Sequence, residues 1–213
     1  AYFGNDEIIV EKIDGYELGY KGVFGNALFV TLDGYYNELR DFITDLAPSV
    51  NPKYPGQITL PGETQTRTIW SYGNAGRVTE SGIEVGVNYY LDDHLSLSAN
   101  YSFFDFKILE QNVNDALLPN APKHKVNGGA TYQEEMYQLG VTIKYVPSYD
   151  WAAGIYKGRI LSYTLVKLNA SYKLTPLLDA GLNITNLLDR EHYQIFGGSF
   201  IGRRAIASMT ATF

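Results

Sequence analysis

Three histidines are the first residues to test for catalytic or metal-binding chemistry, because imidazole serves as a general base and as a metal ligand near neutral pH. His94 directly follows Asp92 and Asp93, while His124 and His192 stand far from it in the sequence. Metal sites usually bring three or more ligands together, and none of these histidines shows a recognisable ligand spacing. Adjacent acids in a turn are more typical of a solvated surface. We therefore expect no resident metal at these positions.

The remaining composition excludes several other classes of protein. Cysteine is absent, so disulfides and thiolate metal sites are excluded. Residues 197–202, GGSFIG, lack the strand-to-helix context of a nucleophile elbow. The formal net charge of −6 argues against a nucleic-acid-binding surface. We therefore expect neither an enzyme, nor a cofactor, nor a nucleic-acid partner.

Aromatic and basic residues in three long segments favour ligand binding instead. Four prolines stiffen the segment near 43–66, and the other two segments lie near 147–160 and 189–200. Aromatic and arginine side chains are typical anchors for ligands and protein partners. The candidate ligand-binding residues are Tyr54, Trp151, Tyr156, Arg159, Arg190 and Tyr193. Within this set we favour Trp151, Tyr156 and Arg190.

The segments between these candidates alternate in polarity with a period of two. In residues 163–174, for example, Val166, Leu168 and Ala170 alternate with Lys167 and Asn169. Successive side chains of a β-strand point to opposite faces, so each segment predicts a strand with one apolar and one polar face. No long window shows a helical period, and the chain is therefore predicted to be all-β.

Alternating strands fit either a soluble β-sandwich or an outer-membrane β-barrel. Three features favour the barrel. The polar face is rich in glycine and asparagine, which are poor strand formers on an open surface. Long and short connections alternate along the chain, as they do in outer-membrane barrels. Several tyrosines lie near predicted strand ends on the apolar face, where a ring suits the membrane interface: Tyr89, Tyr132, Tyr137, Tyr145 and Tyr172.

We therefore predict about nine antiparallel transmembrane strands. Val166, Leu168, Ala170, Leu182 and Ile184 are expected to face lipid, and Lys167, Asn169, Asn183 and Thr185 the interior. Short turns are predicted at Gly22, Asp92, Glu134 and Thr175, with the long loops near 43–66, 108–122, 147–160 and 189–200 at the opposite end. The predicted strands span 8–22, 26–42, 66–91, 94–108, 123–133, 137–147, 161–174, 177–188 and 201–213.

Four segments together resemble the C-terminal half of outer-membrane TonB-dependent transporters. They are YELGYKGVFGNALFVTLDGYYN (16–37), YGNAGRVTESGIEVGVNYYL (72–91), LNITNLLDREHY (182–193) and GRRAIASMTATF (202–213). The resemblance implies a 22-stranded barrel with an N-terminal plug, of which residues 1–213 would supply roughly the last nine strands. Neither a plug, a TonB-contacting box nor a signal peptide is recognisable in these residues. A self-contained small barrel or surface β-sandwich with a binding or structural role is the alternative.

The resemblance also implies a function and a set of partners. It implies energised uptake of a scarce ligand across the bacterial outer membrane, with the TonB complex acting through a part of the protein outside this chain. The last strand, with Met209, Ala211 and Phe213, matches the signal read by the outer-membrane insertion machinery. Lipid and lipopolysaccharide are the expected surroundings. Loop charges are mixed, so the residues do not choose between a ferric siderophore, cobalamin, an oligosaccharide and a peptide.

Overall fold

The computed structural model describes residues 1–113, 116–153 and 156–212, and these parts contain strands and loops without a helix. The all-β prediction is confirmed, and one long strand overlaps each of the nine predicted ranges. The described strands are, in chain order, β1 (Lys12–Phe24), β2 (Leu28–Arg40), β3 (Ala47–Pro48), β4 (Gln57–Thr59), β5 (Thr66–Thr68), β6 (Trp70–Ser71), β7 (Gly76–Tyr90), β8 (Leu95–Gln111), β9 (His124–Gln133), β10 (Tyr137–Val146), β11 (Tyr149–Ala153), β12 (Tyr156–Ile160), β13 (Tyr163–Thr175), β14 (Leu178–Thr185) and β15 (Arg204–Ala211).

Nine strands form one antiparallel sheet in the order β1-β2-β7-β8-β9-β10-β13-β14-β15. Each long strand therefore pairs with its neighbour in the chain, as expected for an up-and-down barrel wall. The sheet is open among the described residues, since β1 and β15 are its two edges. The short strands pair separately as β3-β6, β4-β5 and β11-β12.

Register joins the apolar residues of successive strands into one continuous surface, here called the apolar face. Leu168 lies opposite Val141 on one side and opposite Ile184 on the other. These side chains are not covered: Ile143 is 51% exposed and Leu139 is 47% exposed. A soluble sandwich would bury this surface in its core. An uncovered apolar face is what a barrel wall presents to lipid, so the predicted apolar and polar alternation is confirmed.

The opposite surface, here called the polar face, packs its side chains over its glycines. The amide of Asn183 donates to the Asn169 side-chain oxygen at 2.7 Å, which shows that both residues share this face. The Tyr35 ring occupies the space that a Cβ atom on Gly82 would need. Glycine on this face therefore makes room for neighbouring side chains, which explains its frequency in otherwise strand-like segments.

Short and long connections lie at opposite ends of the sheet, because neighbouring strands run in opposite directions. The short ones are 25–27, 91–94, 134–136 and 176–177, and the long ones are 41–75, 112–123, 147–162 and 186–203. We call these the turn end and the loop end.

The position of the first turn was predicted wrongly. Gly22 lies inside β1, and the chain reverses at Gly25 and Asn26, whose φ angles are 58° and 61°. Two consecutive positive φ angles define a type I′ turn, which matches the twist of a two-residue hairpin.

The predicted single strand 66–91 is also wrong. Residues 66–68 and 70–71 pair with other parts of the same loop, and β7 begins only at Gly76. Gly76 has a φ of 130°, and a Cβ atom there would collide with the carbonyl oxygen of Glu110. The backbone between Ser71 and Gly76 instead bonds to the residues that follow β2, with Asp41 donating to the Gly76 oxygen at 2.9 Å. Only the residues after this break continue the main sheet.

The small buried apolar core lies at the loop end. It consists of Ala47, Ile69, Ala75, Val78, Val146, Ala152 and Ile160. Most of the sheet lacks such a core, since its apolar face is uncovered. A search of the described residues finds no candidate for a membrane-spanning helix.

Candidate functional site

The loop end carries every predicted ligand-binding residue. Hydrogen bonds and ring contacts hold the described residues of its four long connections against one another. The surface is built from three parts: the first loop with the N-terminal residues, the β11–β12 hairpin, and the loop at 186–203.

The N-terminal residues pack along the first long loop, 41–75. The amide of Phe3 donates to the Trp70 oxygen at 3.0 Å, and the Ser71 hydroxyl donates to the Phe3 oxygen at 2.7 Å. Asn51 is 1% exposed, and its side chain donates to the Gly4 oxygen at 3.0 Å. These bonds satisfy the buried backbone of an otherwise irregular loop.

Tyr54 lies within this folded loop. Its ring centroid is 4.9 Å from that of Phe3. Nearby, Lys53 pairs with the exposed carboxylate of Asp6 at 2.7 Å, and this hydrogen bond lowers the pKa of Asp6. Tyr54 therefore contributes to packing of the N-terminal residues, and no contact joins it to the other candidates in the described residues.

The hairpin β11–β12 was not predicted, because its residues were treated as one loop. Trp151 lies opposite Gly158, and Tyr156 lies opposite Ala153. This register puts Tyr149, Trp151 and Tyr156 on one face of the hairpin, here called the aromatic face, whereas Arg159 lies on the other. The guanidinium of Arg159 donates to the Ser148 hydroxyl at 2.9 Å.

Loop 186–203 packs against the aromatic face. The Phe196 ring covers Gly158, where a Cβ atom would have no room, and the Tyr156 ring lies against Gly197. The Tyr149 hydroxyl donates to the Gln194 oxygen at 3.3 Å, and burial raises the pKa of Tyr149, so the hydroxyl keeps its proton. The hairpin and loop 186–203 therefore pack against each other.

Two more candidates lie in loop 186–203. The Tyr193 ring stacks on Phe200 with centroids 4.1 Å apart. Arg190 is exposed, and its backbone rather than its guanidinium holds the loop: its amide donates to the Asn186 side chain at 2.9 Å. Trp151, Tyr156, Arg190 and Tyr193 therefore belong to one pair of packed loops, with Arg159 on the outer face of the hairpin.

Asn186 fixes the base of this loop and was missed as a site residue. It is 4% exposed, adopts a left-handed φ of 53°, and donates to the oxygens of Arg190 and Ile201 at 2.9 and 3.2 Å. Asp189 accepts from the Arg203 amide at 2.7 Å. The signal in the sequence was the segment NLLD after a predicted strand, since asparagine and aspartate favour such turn conformations.

His192 is buried beneath the packed loops. It is 5% exposed, its Nδ1 lies 2.9 Å from the Arg190 oxygen, and its ring centroid is 4.4 Å from that of Tyr163. Its Nε2 and the Nε1 of Trp151 are buried and find no hydrogen-bond partner among the described residues. Such groups cost free energy unless a hydrogen-bond partner reaches them: a donor for Nε2 of His192, whose Nδ1 donates to the Arg190 oxygen, and an acceptor for the N–H of Trp151.

Loop 112–123 is tied to the same hairpin. The Asn120 side chain accepts from the Ala152 amide at 2.8 Å and donates to the Ala152 oxygen at 2.9 Å. Beneath it lies a cavity of about 280 Å³, bounded by Leu39, Val78, Glu80 and Phe106 of the polar face and by loop residues that include Thr44 and Asn120. The cavity opens between the loops and the polar face of the sheet.

The arrangement suits recognition better than bond-making chemistry. In the described part of the chain, no group of three or more His, Asp or Glu residues is placed to hold a metal ion. The described residues of the loop end instead offer aromatic rings, exposed guanidinium groups and two buried ring nitrogens without a hydrogen-bond partner.

The last strand places two of the three predicted insertion-signal residues on the apolar face. Met209 lies opposite Ala180 and is 68% exposed, and Ala211 lies opposite Leu178. Phe213 lies outside the described residues.

An uncovered apolar face, a hydrogen-bonding polar face and long loops at one end together define the wall of an outer-membrane β-barrel. The TonB dependent receptor-like, beta-barrel family profile matches residues 2–187, and the chain belongs to this family. The chain thus forms part of a receptor barrel in the outer membrane.

Curated relatives support this assignment. The chain is 26% identical over 150 residues to the probable TonB-dependent siderophore receptor PiuA of Acinetobacter baumannii, covering 58% of the chain and 18% of that protein. It is 24% identical over 192 residues to the metal-pseudopaline receptor CntO of Pseudomonas aeruginosa, covering 86% of the chain and 24% of that protein.

Solved structures share the fold. The copper transporter OprC superposes with a TM-score of 0.75 at 19% identity, covering 98% of this chain and 32% of that one. A ferric enterobactin receptor mutant from Pseudomonas aeruginosa, in complex with enterobactin, superposes with a TM-score of 0.71 at 18% identity, covering 100% of this chain and 33% of that one. The 213 residues thus span no more than about a third of these proteins.

Proposed function

We propose that the chain is the C-terminal part of a receptor barrel that takes up a metal–siderophore chelate by TonB-dependent transport. The family assignment supports TonB-dependent transport as the reaction class. The named relatives include siderophore and metal-chelate receptors, which supports the choice of substrate over cobalamin or an oligosaccharide. In this proposal the plug and the TonB-contacting segment belong to a longer polypeptide of which these residues are one part.

One observation carries the proposal for the ligand surface: the packed pair formed by the aromatic face and loop 186–203. Aromatic rings bind the flat aromatic or aliphatic arms of a chelator, and guanidinium groups bind its oxygen-rich charged groups. Trp151, Tyr156 and Arg190 combine both chemistries within two neighbouring loops. Rigid β-strands below these loops hold the anchors in place, which reduces the entropy lost when ligand binds.

The open sheet and its apolar face support the other proposed partners: further barrel strands, the outer-membrane insertion machinery, lipid and lipopolysaccharide. The open edges at β1 and β15 carry unpaired backbone groups, which lipid cannot satisfy, so further strands of the same protein must pair with them. Met209, Ala211 and Phe213 are proposed to be read by the outer-membrane insertion machinery. The apolar face would then meet lipid, and the loop end the lipopolysaccharide side.

Uptake of a radioactive ferric chelate tests the ligand surface. The full-length receptor gene should be expressed in cells that lack their own copy, with Trp151→Ala, Tyr156→Ala and Arg190→Ala combined. We expect binding of the chelate to weaken about tenfold or more, because buried aromatic and arginine anchors dominate binding energy. The amount of receptor in the membrane should not change.

A matched control replaces two tyrosines and a cation at the turn end: Tyr137→Ala, Tyr172→Ala and Lys173→Ala. These changes should leave uptake unaltered at equal receptor level. Unchanged uptake in the loop-end variant would place the ligand surface elsewhere. Uptake of cobalamin or an oligosaccharide, with no uptake of any metal chelate, would contradict the proposed substrate.

A further inference from the structure

The loop that follows β14 contains a short projection, residues 192–201, here called the finger. At its base His192 and Ile201 form an antiparallel β-bridge, and the Ile201 amide donates to the His192 oxygen at 3.0 Å. Next to this bridge Tyr193 and Phe200 stack, with their ring centroids 4.1 Å apart. The base of the finger is therefore held by backbone pairing and by a ring contact.

The tip of the finger is a tight turn, in which the Gly198 amide donates to the Ile195 oxygen at 3.0 Å. Gly197 has a φ of 81°, as the third residue of a type II turn requires. Phe196 is the second residue of this turn. The turn fixes the backbone on both sides of Phe196, so the finger presents this ring at its tip.

The Phe196 ring docks on the aromatic face of the β11–β12 hairpin. Three of its ring carbons occupy the space that a Cβ atom on Gly158 would need, and Gly158 lies opposite Trp151 in the hairpin register. One residue further along the turn, Gly197 lies against the Tyr156 ring. The tip therefore covers part of the surface formed by Trp151 and Tyr156, the two aromatic anchors of the proposed ligand surface.

The base and the tip of the finger are held with different strength. Beneath the base, the buried Asn186 donates hydrogen bonds of 2.9 and 3.2 Å to backbone oxygens of the same loop. At the tip, the Tyr149 hydroxyl reaches the Gln194 oxygen at 3.3 Å, beyond the usual range of about 2.5–3.0 Å for a hydroxyl donor. Ile195, which precedes Phe196 in the turn, is 56% exposed. The contacts of the tip are thus easier to break than those of the base.

We propose that Phe196 and the ligand compete for the aromatic face, so that the metal chelate binds only after the tip of the finger has left Gly158. This proposal rests on the proposed function and adds to the same site a residue that sets its affinity. A phenyl ring on a glycine backbone makes an apolar, non-directional contact, which an apolar group of another molecule replaces readily. The apparent affinity of a site falls in proportion to the fraction of the protein in the binding-competent form. Phe196 therefore lowers the affinity of the aromatic face for its ligand.

Equilibrium binding to the purified full-length receptor tests this competition. Radioactive ferric tris-catecholate and ferric tris-hydroxamate are the probes, and the chelate that the wild-type receptor binds is used throughout. Phe196→Ala removes the ring. Gly158→Ala keeps the ring but places a methyl group where it docks, and the backbone of Gly158 has a conformation that alanine also adopts. Each variant should lower the Kd about tenfold or more, as expected when the competent form is a minor state of about 10% or less.

The two substitutions act on one contact, so the double variant should bind no more tightly than Phe196→Ala alone. Ile195→Ala is the matched control. It shortens the neighbouring exposed side chain of the same turn and should leave the Kd unchanged. A Kd does not depend on the amount of folded receptor, so a variant that folds in low yield still gives a result.

A Kd that stays the same or rises in either single variant overturns the inference, while binding by the wild type leaves the proposed function standing. A double variant that binds about tenfold more tightly than Phe196→Ala also overturns it, because the two residues would then act separately. Binding of neither chelate by the wild-type receptor overturns the proposed function, and the inference with it.

Discussion

At the scale of single residues, the turn that joins β7 to β8 is held by two charged side chains. The Asp92 carboxylate accepts from the amides of His94 and Leu95, both at 2.8 Å, and these bonds lower the pKa of Asp92. The Nδ1 of His94 lies 3.0 Å from the Gln133 oxygen, and this bond, with the nearby Glu134 carboxylate, raises the pKa of His94. Asp92 therefore prefers its charged form in the fold, and so does His94.

The signs of these shifts define a pH window for the turn. A carboxylate with a depressed pKa stabilises the fold above its unfolded pKa, and the effect is lost as pH falls through the folded value. A histidine with a raised pKa stabilises the fold below its unfolded pKa, and the effect is lost as pH rises through the folded value. We expect the turn to be most stable between about pH 4 and pH 6.5.

The heat-modifiability temperature of the full-length receptor, measured on gels between pH 5 and pH 8, checks this prediction. His94→Gln should reduce the drop in that temperature between pH 5 and pH 8, because the titrating group is removed. Asp92→Asn should lower the temperature at both pH values, whereas Asp93→Asn serves as the neighbouring control. Identical pH profiles for wild type and His94→Gln would contradict the assignment.

Asn186 gives a second prediction at the residue scale. Asn186→Ala removes two donated bonds and one accepted bond from a buried position and leaves their backbone partners unpaired, at a cost of about 1–3 kcal/mol. Loop 186–203 should then become the first site of proteolytic cleavage in intact cells. Asn88, an exposed asparagine on β7 of the main sheet, replaced by alanine, is the control. Equal protease resistance of both variants would show that the loop is held by its ring contacts instead.

At the scale of elements, alternation with a period of two was enough to predict the nine long strands and their faces. Leu168 and Asn169 already distinguish the two faces, because apolar and polar side chains alternate along the strands. The sequence did not predict the start of β7. That start depends on the positive φ angle of Gly76 and on its contact with a neighbouring strand, and neither is visible in the alternation of apolar and polar residues. Nor did it predict the β11–β12 hairpin, whose aromatic residues suit both a strand and an exposed loop.

The sequence predicted which loops carry the candidate site and which residue types they contain, but not the contacts between those residues. Trp151 and Tyr156 were identifiable because aromatic residues concentrate in the long loops. The burial of His192 and the docking of Phe196 on Gly158 depend on two loops far apart in sequence. Neither the alternation of apolar and polar residues nor a local motif carries information about a contact between distant loops.

Side-chain orientation in β14 gives the prediction at this scale. Leu182→Arg places a charge on the apolar face and should lower the free energy of unfolding by about 2–4 kcal/mol if the position is near the bilayer midplane. Asn183→Arg, one residue away on the polar face, should cost much less. Urea unfolding of the full-length receptor in lipid vesicles measures both. A larger loss for Asn183→Arg would reverse the assignment of the two faces.

At the scale of the whole molecule, nine strands form part of a wall rather than a closed barrel. The two edge strands, β1 and β15, are separated by the other seven strands of the sheet. A closed barrel would have to give the backbone groups of both edge strands hydrogen-bond partners, because unpaired backbone groups are costly in lipid.

We therefore expect the 213-residue polypeptide, expressed alone and refolded in detergent, to aggregate rather than form a compact, heat-modifiable monomer. The full-length receptor treated in the same way is the control. Size-exclusion chromatography and heat-modifiability on gels distinguish the outcomes. A compact monomer from the 213 residues would support the self-contained small barrel.

The buried core at the loop end has a consequence for how this molecule responds to temperature. Ile69, Ile160 and their neighbours are shielded from water by other side chains of the protein. The side chains of the apolar face are instead expected to contact lipid. Burial from water carries a large heat-capacity change and weakens on cooling. On cooling, the packing of the loops around this core should therefore become less stable, while the main sheet keeps its stability. The loops and the sheet of one chain would then respond differently to temperature.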